Sequence, residues 1–480
     1  MQAETDDEHA ATSARALADL WRGAGLDERA LRYVDLPGDE GVLTSSFRVV
    51  TAAQASIAAS ALAAAEVAHR RGLARQRVAV DTLDAARECT GYFSLDGRVP
   101  SAWEKYSGLY PCGADTDEPG WVRIHGNFAH HRDAALGVLE LAAGDASEKA
   151  DVERALRRWR AQDFDAAATA AGGVVAAMRT TDAWSAHPQG QASAALPLLE
   201  IERIGPAEPR IVRPLRAGAG PLSGLRALEL TRILAGPVCG RTLAAHGADV
   251  LLVNSPHLPN ISAIADTSRG KRSAHVDLDS AAGRSALSDL VRGADVVVQS
   301  YRPGSLERRG FGPAEAATLR PGIVYGSLSA YGHAGPWADR RGFDSIVQTA
   351  SGLNHDEARA FGDERPRPLP VQILDYASGF LLAFGLQVAL LRQTEQGGSW
   401  HVRVALAATA RWLRGLGRHP AVPAPRLALE PHAVRCDSGF GDLRAMPHAA
   451  RLAATPPRLG ASMPPGTHPP LWLDRDTDRR

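Results

Sequence analysis

Short apolar runs alternate with helical patterns over residues 221–330. The runs are rich in valine, leucine and isoleucine and too short for helices, whereas the stretches between them repeat apolar residues at helical spacing. The predicted strands are residues 225–230, 248–253, 273–278, 294–299 and 322–328, and the predicted helices are 236–246 and 281–292. This pattern predicts an α/β fold with a parallel, doubly wound, Rossmann-like sheet. Ligands bind such sheets outside the carboxyl ends of the strands, so the loops that follow the strands are expected near any site.

A single carboxylate, Asp375, interrupts the most apolar part of the chain. It ends a strand-like run that contains Val371 and Ile373, and the almost wholly apolar residues 380–391 follow it. Such a stretch predicts a buried helix. An acid at the N-terminus of a buried helix is stabilised by backbone N–H groups and by the helix dipole. Taken alone, this pattern favours a simple N-cap over a reactive carboxylate.

The first 210 residues have a less regular pattern. A long alanine-rich helix is predicted over residues 52–67, followed by a smaller α+β unit with strands near 92–97 and 121–124 and helices at 150–161 and 165–171. We therefore divide the chain into residues 1–213, residues 221–415 with the predicted sheet and the Asp375 helix, and residues 416–480. The last segment is rich in proline and is expected to lie extended over the surface.

A weak internal repeat links the first two segments. A shift of 324 residues aligns residues 49–67 with 373–391 and residues 78–87 with 402–411, and it places Thr51 opposite Asp375. Identities are few and mostly alanine, so coincidence remains open as an explanation. If the repeat is real, only the second copy keeps the acid.

Composition narrows the functional classes. Acidic and basic residues balance at 54 each, which argues against a nucleic-acid-binding surface. No apolar run is expected to be long enough for a membrane span, and the acidic N-terminus does not resemble a signal peptide. The four widely spaced cysteines indicate reduced thiols in a cytoplasmic protein, and no cluster has the spacing of metal ligands.

Several motifs together resemble the front half of a family III CoA-transferase, the group that contains formyl-CoA, carnitine and bile-acid CoA-transferases. The matching segments are PLSGLRALELTRILAGP (221–237), LAAHGADVLLVN (243–254), SRGKRSAHVDLDSAAGR (268–284), ADVVVQSYRPGSLERRGFG (294–312), PGIVYGSLSAYGHAGP (321–336), GFDSIVQTASGL (342–353) and LDYASG (374–379). Residues 92–205 resemble the family's back half, which normally follows the front. The resemblance therefore implies a permuted order with a duplicated acid-helix segment, and the family typically forms homodimers.

The resemblance implies specific roles. Asp375 occupies the position of the family's nucleophilic aspartate, which forms a mixed anhydride and then an aspartyl-CoA thioester during CoA transfer between carboxylic acids. Acyl-CoA and a small carboxylic acid are the implied substrates, with no tightly bound cofactor, no metal, and neither nucleic acid nor membrane as a partner. Basic residues and one helix-entry loop are the expected contacts of CoA, namely Arg269, Lys271, Arg272, Arg302, Arg308, Ala235 and Gly236.

Two alternatives remain open. Related racemases of the same fold carry a histidine before the aspartate of the GFD segment, whereas this chain has Phe343, which cannot move a proton. The second alternative is a degenerate CoA-binding or partner subunit. It is motivated by Thr51, by the altered order of the segments, and by Asn254, where relatives often carry glutamate.

Overall fold

The computed structural model describes residues 2–474 and contains a central α/β sheet, a smaller α+β unit and a mixed N-terminal segment. The helices are α1 (Gln2–Gly23), α2 (Val49–Arg70), α3 (Thr82–Cys89), α4 (Ala129–Val138), α5 (Lys149–Leu156), α6 (Ala161–Ala170), α7 (Thr181–Ala186), α8 (Pro188–Ala195), α9 (Ala235–Ala245), α10 (Ile264–Thr267), α11 (Ala281–Gly293), α12 (Pro313–Leu319), α13 (Asp344–Ala350), α14 (Leu353–Phe361), α15 (Ile373–Gln396) and α16 (Leu406–Gly415). The strands are β1 (Val34–Asp35), β2 (Val78–Val80), β3 (Phe93–Leu95), β4 (Gly108–Cys112), β5 (Gly120–Ile124), β6 (Val175–Ala177), β7 (Glu200–Gly205), β8 (Arg226–Leu230), β9 (Asp249–Asn254), β10 (Lys271–His275), β11 (Val296–Gln299), β12 (Val324–Ser329), β13 (Ser399–Ala405), β14 (Val434–Cys436), β15 (Leu443–Ala445) and β16 (Ala450–Leu452).

The predicted parallel, doubly wound sheet is confirmed. Seven strands follow the order β10-β9-β8-β11-β12-β13-β7, and every neighbouring pair is parallel except β13 with β7. Alternate residues of the strands point to opposite faces. On β8, for example, Ala227 packs into the core that contains α9 and α15, whereas Leu228 packs into the core that contains α11. Both faces are thus covered by helices.

Helix α15 lies at the centre of the larger core and packs against α2 and α9. By length and composition, α2 and α15 could each cross a membrane, so the expectation that no apolar run is long enough is wrong. The most apolar window of α2 is 94% buried and that of α15 is 100% buried within the protein. Packing in the protein core therefore accounts for their apolar composition.

Gly379 permits the close approach of α15 to α9, so its replacement by alanine is expected to destabilise the protein. A Cβ atom there would lie 2.5 Å from the carbonyl oxygen of Ala235 and 2.9 Å from Cβ of Val238. Overpacking of this kind costs about 1–3 kcal/mol. Urea unfolding of Gly379→Ala measures this loss. Gly137→Ala in α4 is the matched control, because nothing lies within 4 Å of the methyl group that it adds. Equal stability of the two variants would contradict the packing role of Gly379.

The smaller unit is a three-stranded antiparallel sheet, β4-β5-β6, covered by α4, α5 and α6. Strand β5 also contacts α13, the short helix that begins at Asp344. The unit therefore presents one side of β5 towards the region of Asp375, and the side chains on that side become relevant to the site.

The C-terminal segment differs from the expected extended tail. Strand β15 pairs with β3, and β16 pairs with β2, so residues 443–452 complete two small sheets that begin in the N-terminal segment. Proline-rich composition predicted the irregular backbone between these strands but not the pairing, because three-residue strands leave too short a pattern to recognise.

The internal repeat is visible in the secondary structure. With the same shift of 324 residues, α2 and α15 begin at equivalent positions, as do α3 and α16, and β2 falls within β13. The residues that precede the two long helices also share one backbone conformation, with φ −77° and ψ 62° at Arg48 and φ −78° and ψ 62° at Gln372. Agreement at this level makes coincidence a poor explanation.

Candidate functional site

Asp375 lies in the first turn of α15, at the centre of the protein. Its backbone N–H donates a hydrogen bond to Oδ2 of Asp344, the first residue of α13, over 3.0 Å. The Asp375 side chain is only 7% exposed, yet no group within residues 2–474 donates a hydrogen bond to its carboxylate. A simple helix cap would be engaged with the backbone. At the equivalent turn of α2, a different residue has that role, because the carboxylate of Glu40 accepts the N–H groups of Val50 and Thr51.

The two buried carboxyls perturb each other. Burial, followed by the nearby charge of Asp344, raises the pKa of Asp375 well above its ordinary value. Burial also raises the pKa of Asp344 to about 6, although hydrogen bonds from the Asp375 N–H and from Gln348 act in the opposite direction. Two adjacent carboxyls in a buried site resist ionising together. Perturbed acids of this kind are typical of functional sites.

This pair predicts that the protein loses stability as the pH rises through neutrality. Both pKa values are raised on folding, so the native state keeps protons that the unfolded chain has already released. The stabilisation is complete below the ordinary carboxyl pKa and is lost as the pH passes the Asp344 value of about 6. The free energy of unfolding of the wild type and of Asp344→Asn can be measured in urea at about pH 5 and about pH 8. Between these pH values, the wild type should lose more stability than the variant. If the difference in unfolding free energy between the two proteins did not change with pH, the mutual perturbation of the Asp344 and Asp375 carboxyls would be contradicted.

The loop between β8 and α9 reaches the carboxyl edge of the sheet. Ile233 in this loop has φ +76°, a left-handed conformation that is strained for a β-branched residue. The predicted contacts Ala235 and Gly236 follow as the first residues of α9, and a Cβ atom at Gly236 would lie 2.6 Å from Cβ of Thr231. The close contact of Gly379 with Ala235 brings this turn beside the helix of Asp375.

Exposed and half-buried arginines gather at the same edge. Arg302 follows β11 as predicted, and the sequence interpretation missed Arg232 after β8 and Arg341 after β12. After burial, the charge of Arg302 is the next cause that lowers the pKa of Arg341, so the two guanidinium groups are close. Burial, followed by the charges of Arg341 and Arg232, lowers the pKa of His130. Arg308 lies in the turn after Arg302, and neither of these two forms an ion pair with any described residue. All of these arginines lie in loops that follow strands of the sheet, where ligands are expected to bind, so the sequence could have identified them.

Three predicted contacts lie elsewhere and require correction. Lys271 begins β10 and is fully buried, with Nζ 2.7 Å from Oε2 of Glu229 and 2.8 Å from the carbonyl oxygen of Pro237. Arg269 is buried in an ion pair with Asp266 at 2.6 Å. Their charges are neutralised inside the protein, so their side chains do not fit a role as phosphate ligands.

Arg272 is only partly buried, but it is paired as well. Its guanidinium group binds the carboxylate of Asp249 at 3.0 Å and donates to the carbonyl oxygen of Leu471. The turn that enters β10 lies at the amino end of that strand, whereas ligands bind parallel sheets outside the carboxyl ends. Strand polarity is therefore the physical reason for this correction.

The smaller unit contributes a polar group that the sequence interpretation also missed. The ring of His125 stacks on Phe343, with 4.0 Å between ring centroids, and His131 lies 6.1 Å from the same ring. Burial lowers the pKa of both histidines to about 3, so both are neutral at physiological pH. Arg123 lies on the same side of β5, and the charge of Asp344 acts on it. In the sequence, the repeated histidines of IHGNFAHH (124–131) could have indicated these polar groups.

Comparison with known proteins supports the resemblance. Residues 222–417 match the family model described as CoA-transferase family III. A succinate–glutarate CoA-transferase of Agrobacterium fabrum is 34% identical over 205 residues, which cover 39% of this chain and 51% of that protein. A probable fatty acyl-CoA transferase of Mycobacterium tuberculosis, Rv3272, is 34% identical over 207 residues, which cover 40% of this chain and 52% of that protein. The predicted resemblance to family III CoA-transferases is thus confirmed for this segment.

The shared region is limited in extent. An acyl-CoA transferase of Gibberella moniliformis is 30% identical over 312 residues, which cover 61% of this chain and 54% of that protein. A crystal structure of Rv3272 matches with a TM-score of 0.38 and 33% identity over 41% of this chain and 58% of that chain. The chain spans about half the length of these relatives. The permuted order of the segments stays a prediction.

Proposed function

We propose that this protein is a CoA-transferase that moves CoA between carboxylic acids by covalent catalysis at Asp375. The observation that carries the proposal is the carboxylate of Asp375, which lies in the first turn of a buried helix, accepts no hydrogen bond from the described residues and keeps a small exposed surface. It lies in the segment that matches the family model. A carboxylate left free in this way is available as a nucleophile.

The proposed exchange runs through four acyl transfers. An oxygen of Asp375 attacks the thioester carbonyl carbon of the donor, and the C–S bond breaks to give a mixed anhydride and CoA thiolate. The thiolate attacks the aspartyl carbonyl, which releases the donor acid and leaves an aspartyl-CoA thioester. The acceptor carboxylate displaces the thiolate, and the thiolate then attacks the acceptor's carbonyl, which restores Asp375. No oxidant or additional reactant is needed.

Asp344 positions this nucleophile. Its carboxylate accepts the backbone N–H of Asp375 and fixes the first turn of α15 without engaging the reactive oxygens. The raised pKa of Asp375 means that the proton must leave before attack. Its proximity to Asp344 opposes that loss, so activity is expected to increase with pH until Asp375 is ionised.

The exposed arginines at the carboxyl edge are proposed to hold the phosphates of CoA. Arg232, Arg302, Arg308 and Arg341 supply unpaired or partly exposed guanidinium groups, and the start of α9 adds backbone N–H donors. Ala235 and Gly236 remain the proposed contacts in that turn. We further propose a homodimer in the cytoplasm, where the four free cysteines would stay reduced.

Racemisation of an acyl-CoA is the second candidate. One observation favours it, because His125 stacks directly on Phe343, the position at which related racemases carry a histidine. However, burial lowers the pKa of His125 to about 3, which makes its imidazole a weak base. Exchange of solvent deuterium into the α-position of an acyl-CoA would favour this candidate over CoA transfer.

The direct test is CoA exchange by the purified chain. Donor acyl-CoA thioesters are incubated with isotopically labelled acids, and the labelled acyl-CoA products are measured by mass spectrometry. The proposal expects a labelled thioester for at least one pair of acids and no net loss of CoA ester. Absence of exchange by the pure chain, with exchange restored by a second protein, would support the alternative of a partner subunit.

A further inference from the structure

Arg123 is a buried cation that forms no ion pair with any described residue. The residue is 5% exposed, its Nε atom has no hydrogen-bond acceptor, and no carboxylate among the described side chains forms an ion pair with it. Its guanidinium carbon lies over the ring of Trp103, 4.9 Å from the ring centroid, and the charge of Asp344 acts on it. A buried charge is costly unless it is paired. The charge of Asp344 acts on Arg123 without forming an ion pair, so the buried guanidinium group keeps hydrogen-bonding capacity for a bound anion.

Two histidines extend this unsatisfied cluster. His125 and His131 are both at least nine-tenths buried, and neither ring nitrogen of either residue has a hydrogen-bond partner. Each neutral imidazole can donate one hydrogen bond and accept one. Buried polar groups in native proteins are normally satisfied, so exceptions call for a ligand or water. Three adjacent exceptions indicate one binding site.

The cluster faces the proposed nucleophile. Arg123 and His125 are two residues apart, so they project from the same side of β5, whereas Val122 and Ile124 pack in the opposite direction into the core of the smaller unit. The His125 ring stacks on Phe343, and the next residue, Asp344, accepts the N–H of Asp375. Phe343 and Asp344 thus connect the cluster to Asp375, the site of the acyl transfers.

Charge identifies the ligand. The two histidines are neutral, because burial lowers the pKa of both to about 3, so Arg123 supplies the positive charge within the cluster, while the charges of Arg341 and Arg232 also reach His131 from the carboxyl edge of the sheet. A buried guanidinium group beside two imidazoles with unused ring nitrogens suits a small carboxylate. A CoA phosphate suits the exposed and more numerous arginines at the carboxyl edge of the sheet instead. The short path from the cluster to Asp375 limits the ligand to a small molecule.

We propose that Arg123, His125 and His131 bind the distal carboxylate of a short dicarboxylic acid whose other carboxyl group exchanges CoA at Asp375. This inference rests on the proposed transferase function for the role of the first carboxyl group. The binding of the second carboxylate rests on the cluster alone. The three side chains thus determine specificity, and they do not take part in the acyl transfers.

The test compares acids that are matched in length. Isothermal titration of the ligand-free protein with succinate and with butyrate, and with glutarate and valerate, isolates the second carboxylate. We expect the wild type to bind succinate about 10- to 100-fold more tightly than butyrate, and glutarate more tightly than valerate by a similar factor. Arg123→Met should abolish this preference while changing the affinity for butyrate by less than about 2-fold. Arg160→Met, an exposed arginine of the same unit paired with Asp117, is the matched control and should retain the preference.

His125→Phe provides a second variant that keeps the stack on Phe343 and removes both ring nitrogens. It should weaken succinate binding about 3- to 20-fold. Equal affinities of the wild type for the paired acids, or an unchanged preference in Arg123→Met, would overturn the inference. If dicarboxylates bind as expected but no CoA is exchanged, the carboxylate site stands and the transferase proposal fails. If CoA is exchanged but butyrate is preferred over succinate, the transferase proposal stands and the carboxylate site fails.

Discussion

Asp375→Asn is expected to lower kcat for CoA exchange by a factor on the order of 10⁴ or more, because the reaction then lacks its nucleophile. The substitution keeps the shape of the side chain, and the backbone N–H that donates to Asp344 is unchanged. Asparagine also resembles the protonated carboxyl that burial favours at this position. Unfolding at about pH 8 should therefore find the variant at least as stable as the wild type.

Combining kinetics with unfolding separates chemistry from structure. A matched control is Glu40→Gln, which alters the carboxylate that caps the equivalent turn of α2. It should lower stability by about 1 kcal/mol and leave kcat within about 3-fold. If Asp375→Asn retained full exchange activity, Asp375 would be a structural residue despite its position.

Lys271→Met is expected to cost about 3–5 kcal/mol of unfolding free energy, the largest stability effect predicted for this chain. The Lys271 ammonium group contacts both oxygens of Glu229 and the carbonyl oxygen of Pro237, in the first turn of α9. Burial lowers the pKa of Lys271 and raises that of Glu229, with their mutual attraction opposing both shifts. Removing the lysine leaves Glu229 buried beside a helix turn with no cation.

The double variant Lys271→Met with Glu229→Gln identifies the cause. Because the orphaned charge is removed, the double variant should recover about 1–3 kcal/mol relative to Lys271→Met. Lys149→Met, at an exposed lysine, should change stability by less than about 0.5 kcal/mol. Urea unfolding measures all three variants. A loss below about 1 kcal/mol for Lys271→Met would instead point to an exposed lysine and reopen a direct role in CoA binding.

Sequence pattern was sufficient for the parallel sheet and for the buried helix that follows Asp375, although that helix begins at Ile373, within the run that resembled a strand. Strands β8, β9, β11 and β12 are buried along most of their length, and β9 and β11 are almost continuous apolar runs, a pattern with few alternatives. Strand β7 was missed because its sequence, EIERIG, is an edge strand with several charges and leaves too few apolar positions to recognise. The pairing of β16 with β2 depends on contacts between residues far apart in the chain, which no local pattern encodes.

The candidate site was predicted only in part. Asp375 stood out because a lone acid within an apolar helix is unusual. Arg269 and Lys271 were misinterpreted, since a basic turn is identical in sequence whether it faces solvent or buried carboxylates. Arg123 and His125 could not be connected to Asp375, because the contact joins segments about 250 residues apart through the stack on Phe343.

The covalent role of Asp375 is tested most directly by trapping its acyl intermediate. The wild-type protein is incubated with a reactive acyl-CoA and quenched with hydroxylamine, and its peptides are mapped by mass spectrometry. Attack of hydroxylamine on the anhydride or on the aspartyl thioester should convert Asp375 alone to a hydroxamate, dependent on acyl-CoA. Continued CoA exchange without a hydroxamate at Asp375, or with one at another carboxylate, would contradict the proposed mechanism.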